Sequence, residues 1–344
     1  MSGRRPAAAE PFSWRDGERL IHFGRGIAAE AVDRLGGPGY ALLTTERAAG
    51  AAPHVAEAAG SVHVVGSGLV DELAAGLLES VRGDRIVALG GGRVVDVAKA
   101  IAAARAAAGD GGASVRAMAV PTTLSGAEMT RIHRHATGVD PGAAKVRCAV
   151  VVNDPALSAS QPVAELAASA GNALGHAAEG PCTPAANPVC RLAALEAARL
   201  IAGAFSRRDG EPDRDALGLA ALLAGYTIDS AGYGLHHVLS QTLVRMGGAA
   251  HGPANVVLLP HTLGALAWRF PSQHAALGEA LGGDPSDVAA RLRGISGVER
   301  VRDLGVEASA LAACADAAAE RPDLDNTPPR ADRAELMALY EAAF

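Results

Sequence analysis

Aromatic residues are scarce, at 3% of 344 residues. A surface that stacks nucleic-acid bases needs more of them, and no run of Lys or Arg supplies the basic footprint. The formal net charge of −6 is spread along the chain, so nucleic acid is not an expected partner. There are four cysteines, Cys148, Cys182, Cys190 and Cys314, and they lack paired metal-ligand spacing. They read as buried thiols of a reducing compartment. The start, MSGRRPAAAEPF, lacks the apolar core of a signal peptide and reads as a frayed terminus. Long apolar runs are missing too: alanine-rich AIAAARAAAG carries Arg105 and is too short to span a bilayer. The expectation is a soluble cytoplasmic protein with no membrane partner.

Hydrophobic residues are plentiful, at 49%, enough for a large core, and the length favours two domains. From RLIHFGRG to CAVVVNDPAL, short β-rich runs alternate with helical ones. YALLTTERA, SVHVVGSG, RIVALGGG and AMAVP are the strands between. This alternation predicts a parallel sheet with helices on both faces. After Asp154-Pro155 every segment has helical periodicity and no strand run is evident. The predicted division is an α/β domain over residues 1–156 and an all-helical domain over 157–344.

Gly90, Gly91 and Gly92 lie between a strand and a helix in ALGGGRVVDVAKA. Glycines let a backbone approach a pyrophosphate, and a helix start supplies free N–H groups; the bland alternative is a tight turn. PTTLSG adds the hydroxyls of Thr122, Thr123 and Ser125 at the end of the next strand. In the second half, GYGLHHVLSQTLVRMGGAAHGPANVVLLPH predicts a helix from Gly234 to about Met246, ended by Gly247 and Gly248. His237, Gln241 and Arg245 recur every four residues and share one face. Asn172 and His176 make a similar pair in SAGNALGHAAEG, and His251 follows the glycine turn. Asp96 and Lys99 suit helix-surface pairing or turn support. Asp154 suits a cap, and His236 suits packing.

Taken in order, LGGGRVVDVAKA, PTTLSGAEMT, VVNDPAL, GNALGHAAEG and LHH…HG…LLPH resemble the iron-containing (group III) alcohol dehydrogenase superfamily. PTTLSGAEMT, the asparagine of GNALGHAAEG and the doubled histidine resemble its maleylacetate reductase branch most. The resemblance implies a Rossmann-like domain, a helical domain of dehydroquinate synthase-like architecture, and an active site in the cleft between them. It implies NAD(H) or NADP(H) held by Gly90, Gly91, Gly92, Thr122, Thr123 and Ser125, with Thr44 and Thr45 near the adenosine. Its metal-ligand positions fall on Asn172, His176, His237 and His251, for a divalent iron or zinc. It also implies a homodimer.

The chain departs from that pattern. Asn172 replaces an anionic ligand, and a neutral amide oxygen holds a cation less firmly. Gln241 stands where relatives usually carry histidine, and an amide cannot relay a proton. Arg245 replaces a small residue and could bind a substrate carboxylate through two parallel hydrogen bonds, or equally reach solvent or pair with a nearby acid. Arg93, where many relatives have serine, could meet a cofactor phosphate or simply face solvent. The expected function is NAD(P)H-dependent reduction of an unsaturated or keto carboxylic acid. His237, His251, His176, Gln241 and Arg245 are the catalytic candidates. The alternative is a scaffold converted to a non-redox lyase, dehydratase or cyclase.

Overall fold

The computed structural model describes residues 10–109, 115–206 and 210–344. Clustering of the chain gives two compact units. The first is Met1–Gln161 with Arg214–Leu219, and the second is Pro162–Asp213 with Ala220–Phe344. The units thus divide after Gln161 rather than after residue 156, and a short later segment belongs to the first.

The first unit carries a seven-stranded sheet. Its strands are β1 (Phe12–Asp16), β2 (Arg19–Phe23), β3 (Ala41–Thr44), β4 (Ser61–Val64), β5 (Arg85–Gly90), β6 (Arg116–Pro121) and β7 (Val150–Asn153). They lie in the order β1-β2-β7-β6-β5-β3-β4. All neighbours from β2 to β4 are parallel. β3 and β5 are buried almost throughout, as strands covered on both faces must be, which is why they read as unbroken apolar runs.

β1 is a strand that the alternation does not predict, and the expectation of a frayed start falls mostly outside the described residues, on residues 1–9. Phe12–Asp16 pairs antiparallel with β2, and the rings of Phe12 and Phe23 stack at 5.3 Å. Its half-buried, alternating residues give it only a weak apolar signal.

The strand order reverses beside β3. The chain leaves β3 for β4 on one side and returns to β5 on the other. Such a switch opens a crevice at the carboxyl ends of the two strands, here Thr44 and Gly90.

The second unit is helical, and no described residue after 157 forms a strand. Its helices include Val163–Glu179, Pro188–Ala204, Leu235–Gly247 and His251–Arg269. The first of these exposes bare backbone to its neighbours. A Cβ on Gly171 would come within 2.8 Å of Val256, and one on Gly175 within 2.7 Å of the His236 ring. Glycine at these positions lets the later two helices pack directly onto it. No helix among the described residues is long and apolar enough to cross a membrane. All four cysteines are free and buried.

Candidate active site

In the first unit the expected cofactor residues gather at one sheet edge. Thr44 ends β3, Gly90 ends β5, and Thr122 follows β6. The Thr44 hydroxyl donates to Leu89 O at 2.9 Å, and the Thr122 amide donates to Gly90 O at 3.0 Å. Thr45 accepts from Ala48 N and caps the next helix. A Cβ on Gly91 would lie 3.1 Å from Thr123, and one on Gly92 2.8 Å from Ser125. The triple glycine therefore seats the hydroxyl loop as well as leaving backbone open to a ligand. No side chain caps the helix Gly92–Ala107, and with Val94 N already donating to Gly91 O at 2.9 Å the N–H groups of Gly92 and Arg93 are the ones left for an anion. Arg93 is exposed.

That loop is fastened from beneath by buried cations. Lys99 is fully buried rather than on the helix surface. Its Nζ donates to Ala127 O at 2.8 Å, Thr130 O at 2.9 Å and Ile132 O at 3.1 Å, and pairs with Asp96 at 2.8 Å. Arg19, also buried, donates to Met129 O at 2.6 Å. Glu128 lies among these groups, accepting from Asn153 Nδ2 at 3.3 Å. Burial pushes its carboxyl up to about 7. Asp154 caps the turn that follows β7 through Ala156 N at 2.9 Å.

In the second unit the rings of His176 and His237 stack at 4.7 Å. His236 meets His237 edge-on at 4.8 Å and bonds Thr262 Oγ1 through Nδ1 at 2.8 Å. Asn172 is buried one helical turn before His176. His251 opens the following helix, exposed, and lies close enough for its charge to lower both His176 and His237.

Glu179, absent from the expected site, organises this cluster. It is fully buried and accepts from His236 N at 2.7 Å through Oε1, and from His237 N at 3.3 Å through Oε2. It thereby caps the helix Leu235–Gly247, whose own cap residue, Gly234, offers no side chain. Oε2 also lies 2.7 Å from His237 Nδ1. Burial pushes the carboxyl up, while His236 and the amides of Gly234, His236 and His237 pull it down. Both oxygens already accept N–H groups at the positive end of a helix, so we assign the anion, with His237 donating from Nδ1. Burial holds His237 and His236 each down at about 3 and His176 well below its usual value. All three rings are therefore neutral at neutral pH.

His237 Nε2 then carries a lone pair, buried and without a hydrogen-bond partner, and His176 Nδ1 is likewise unpartnered. A carboxylate holding one imidazole nitrogen while the other stays bare is the arrangement that presents histidine to a cation. These donors fit a divalent metal. As the side chains stand, no group of three or more His, Cys, Asp or Glu among the described residues is placed to hold one.

Gln241 and Arg245 part company. Gln241 is half-buried one turn beyond His237, and its Oε1 accepts from Arg321 at 3.2 Å. Arg245 is exposed in the last turn of its helix, where a cation suits the negative end of the dipole.

A parallel sheet with a glycine turn at its switch point, in one unit, and a carboxylate-braced imidazole cluster, in a helical one, are features that suit a dehydrogenase scaffold. The family model for iron-containing alcohol dehydrogenase matches residues 21–155, and that for the Fe-containing alcohol dehydrogenase family, C-terminal, matches residues 166–344. The chain belongs to the iron-containing alcohol dehydrogenase family and is an oxidoreductase. It is 30% identical over 332 residues to maleylacetate reductase 1 of Rhodococcus opacus, covering 92% of this chain and 90% of that one. The 1,3-propanediol dehydrogenase of Klebsiella pneumoniae is 30% identical over 212 residues, covering 57% and 55%. The crystal structure of maleylacetate reductase from Agrobacterium tumefaciens matches with a TM-score of 0.79 at 27% identity, covering 97% of this chain and 98% of that one.

Proposed function

We propose that this protein uses NADH or NADPH to reduce the carbonyl or conjugated double bond of a carboxylic acid, as a relative of the maleylacetate reductases. The observation that carries the reading is the clamp of Glu179 on His237, 2.7 Å from Nδ1, which leaves a buried nitrogen lone pair beside His176. The cofactor's phosphates suit the glycine turn at Gly90, Gly91 and Gly92, beside Thr122, Thr123 and Ser125. Its adenosine suits the crevice at Thr44 and Thr45.

Asn172, His176, His237 and His251 would hold a divalent cation. When bound, such a cation supplies a Lewis acid for the oxygen of the group being reduced. The residues themselves do the rest. Glu179 orients His237 and keeps the Nε2 lone pair aimed away from the helix start. His176, His236 and His237 are not in the imidazolium form at neutral pH and so are not acids of the usual kind, and the Gln241 oxygen is engaged by Arg321. A lone-pair nitrogen does not stabilise an oxyanion by itself, so the metal-free version of this chemistry has no donor at His237.

The lyase alternative has nothing in its favour, since the reductase relatives cover nearly the whole chain. The test is consumption of NADH and NADPH with a panel of keto and unsaturated acids, each with added Fe(II), Zn(II) or neither. Turnover with at least one acid is expected. No cofactor oxidation across the panel under every metal condition would overturn the reading.

A further inference from the structure

Arg321 lies 80 residues from Gln241 in the chain, yet its Nη2 donates to Gln241 Oε1 at 3.2 Å and to Tyr233 Oη at 2.9 Å. The Tyr233 ring in turn sits 5.9 Å from the His237 ring. Asp323 takes one edge of the guanidinium, at 3.1 Å from Nε and 2.7 Å from Nη2. The opposite amino group, Nη1, meets no acceptor among the described residues, and neither does the Gln241 amide nitrogen. The Arg321 side chain is 22% exposed, so solvent-borne groups can reach it.

Two amino groups with no acceptor, one on an oriented guanidinium, form a receptor for a carboxylate. It lies about one helical turn from His237, on the same helix face. A histidine at position 241 would bring no comparable pair of donors beside Arg321. The glutamine keeps one oxygen on Arg321 and leaves its amide free. Arg245 is exposed in the last turn, about two turns beyond His237.

We propose that Arg321, steadied by Asp323 and Tyr233 and joined by Gln241, is the residue that selects a carboxylate-bearing substrate, in place of Arg245. The inference rests on the reductase reading for its catalytic meaning, but the binding site is tested without turnover.

Succinate and its dimethyl ester are the probes, titrated calorimetrically into the intact protein, with NADH binding followed separately by fluorescence. Succinate is expected to bind and the ester not to. Arg321→Met should weaken succinate by about tenfold to a hundredfold and leave NADH affinity unchanged. Gln241→Glu, which sets an anion beside Arg321, should weaken it similarly, and serves should the arginine variant fail to fold. Arg245→Met should have no effect. Equal binding of acid and ester, no succinate binding, or retained binding in folded Arg321→Met would overturn the proposal, as would retained binding in Gln241→Glu should Arg321→Met not fold. Succinate binding without NADH binding would uphold the site and remove the reductase reading.

Discussion

Each unit buries a glutamate completely, and the two live under different terms. Glu128, beneath the hydroxyl loop of the first unit, accepts one long side-chain bond from Asn153, and its Oε2 has no hydrogen-bond partner. Its carboxyl rises to about 7 although Lys99 and Arg19 are nearby. Those cations are already committed to the carbonyls of Ala127, Met129, Thr130 and Ile132. Glu179 instead receives the amides of a helix start and an imidazole N–H. Burial acts on both, but only Glu179 has donors aimed at each oxygen. What a buried carboxylate does is decided less by the charges around it than by whether any of them point at it.

The sharpest way to break that contrast is to remove each carboxylate. Glu179→Ala leaves the start of the helix Leu235–Gly247 uncapped and the His237 Nδ1 proton buried without an acceptor. A loss of about 3–5 kcal/mol in denaturant unfolding is expected. Glu179→Gln should lose less, and its amide would donate to His237 Nδ1, moving the ring proton to Nε2. Nitrogen NMR of that imidazole reads the switch directly in the metal-free protein. An unchanged tautomer in Glu179→Gln would show that the ring is set by packing alone.

The same contrast explains what the sequence could and could not reveal. The six parallel strands and the helical second half follow from period and composition, and β1 escaped because five residues, three half-buried and two exposed, carry little apolar signal. The histidine pair was visible as helix-face spacing. Glu179 was also within reach, since Asn172, His176 and Glu179 recur at helical spacing and share one face. What spacing cannot give is the crossing that places this face on His237, 58 residues on. Arg321 left no signal at all. A single arginine before a proline reads as surface, and only the fold carries it to Tyr233 and Gln241. Lys99 reads as a surface pair with Asp96 or as turn support; the pair and the support are both present, but nothing local announces that three loop carbonyls will enclose it.

Next in size is a pH effect confined to Glu128. Its folded carboxyl sits near 7, above its ordinary value of 4.5, so the folded state binds the extra proton between those values. Stability from this group is full below about pH 4.5 and is lost as pH rises through about 7, by about 3 kcal/mol in all. Glu128→Gln keeps the acceptor for Asn153 and never ionises. Its thermal midpoint should match wild type near pH 4.5 and exceed it near pH 8. A gap that stays constant across this range would mean the carboxyl is ionised throughout, as we assign for Glu179.

The glycines give a smaller version of the comparison. Gly175 faces the His236 ring at 2.7 Å from a notional Cβ, and that ring is fastened to Thr262. Gly175→Ala should cost about 1–3 kcal/mol, read as a lower denaturant midpoint at constant slope.

Gly92 meets its neighbour almost as closely, at 2.8 Å from Ser125 Cβ, but the consequence should differ. Ser125 is half-buried on a loop whose fixed points, Ala127 to Ile132, lie further along the chain. The loop can yield where the imidazole helix cannot, so Gly92→Ala should move the unfolding midpoint by less than Gly175→Ala does. The added methyl also takes the place of a glycine at an otherwise poor helix position, which offsets part of the strain. What the substitution should alter is the spacing between the glycine turn and the hydroxyls of Thr123 and Ser125. Weaker NADH binding in a fluorescence titration, with stability nearly retained, is the expected outcome. Full affinity in Gly92→Ala would mean that the triple glycine serves only to seat the loop, and the cofactor's phosphates would have to be sought elsewhere on the sheet edge.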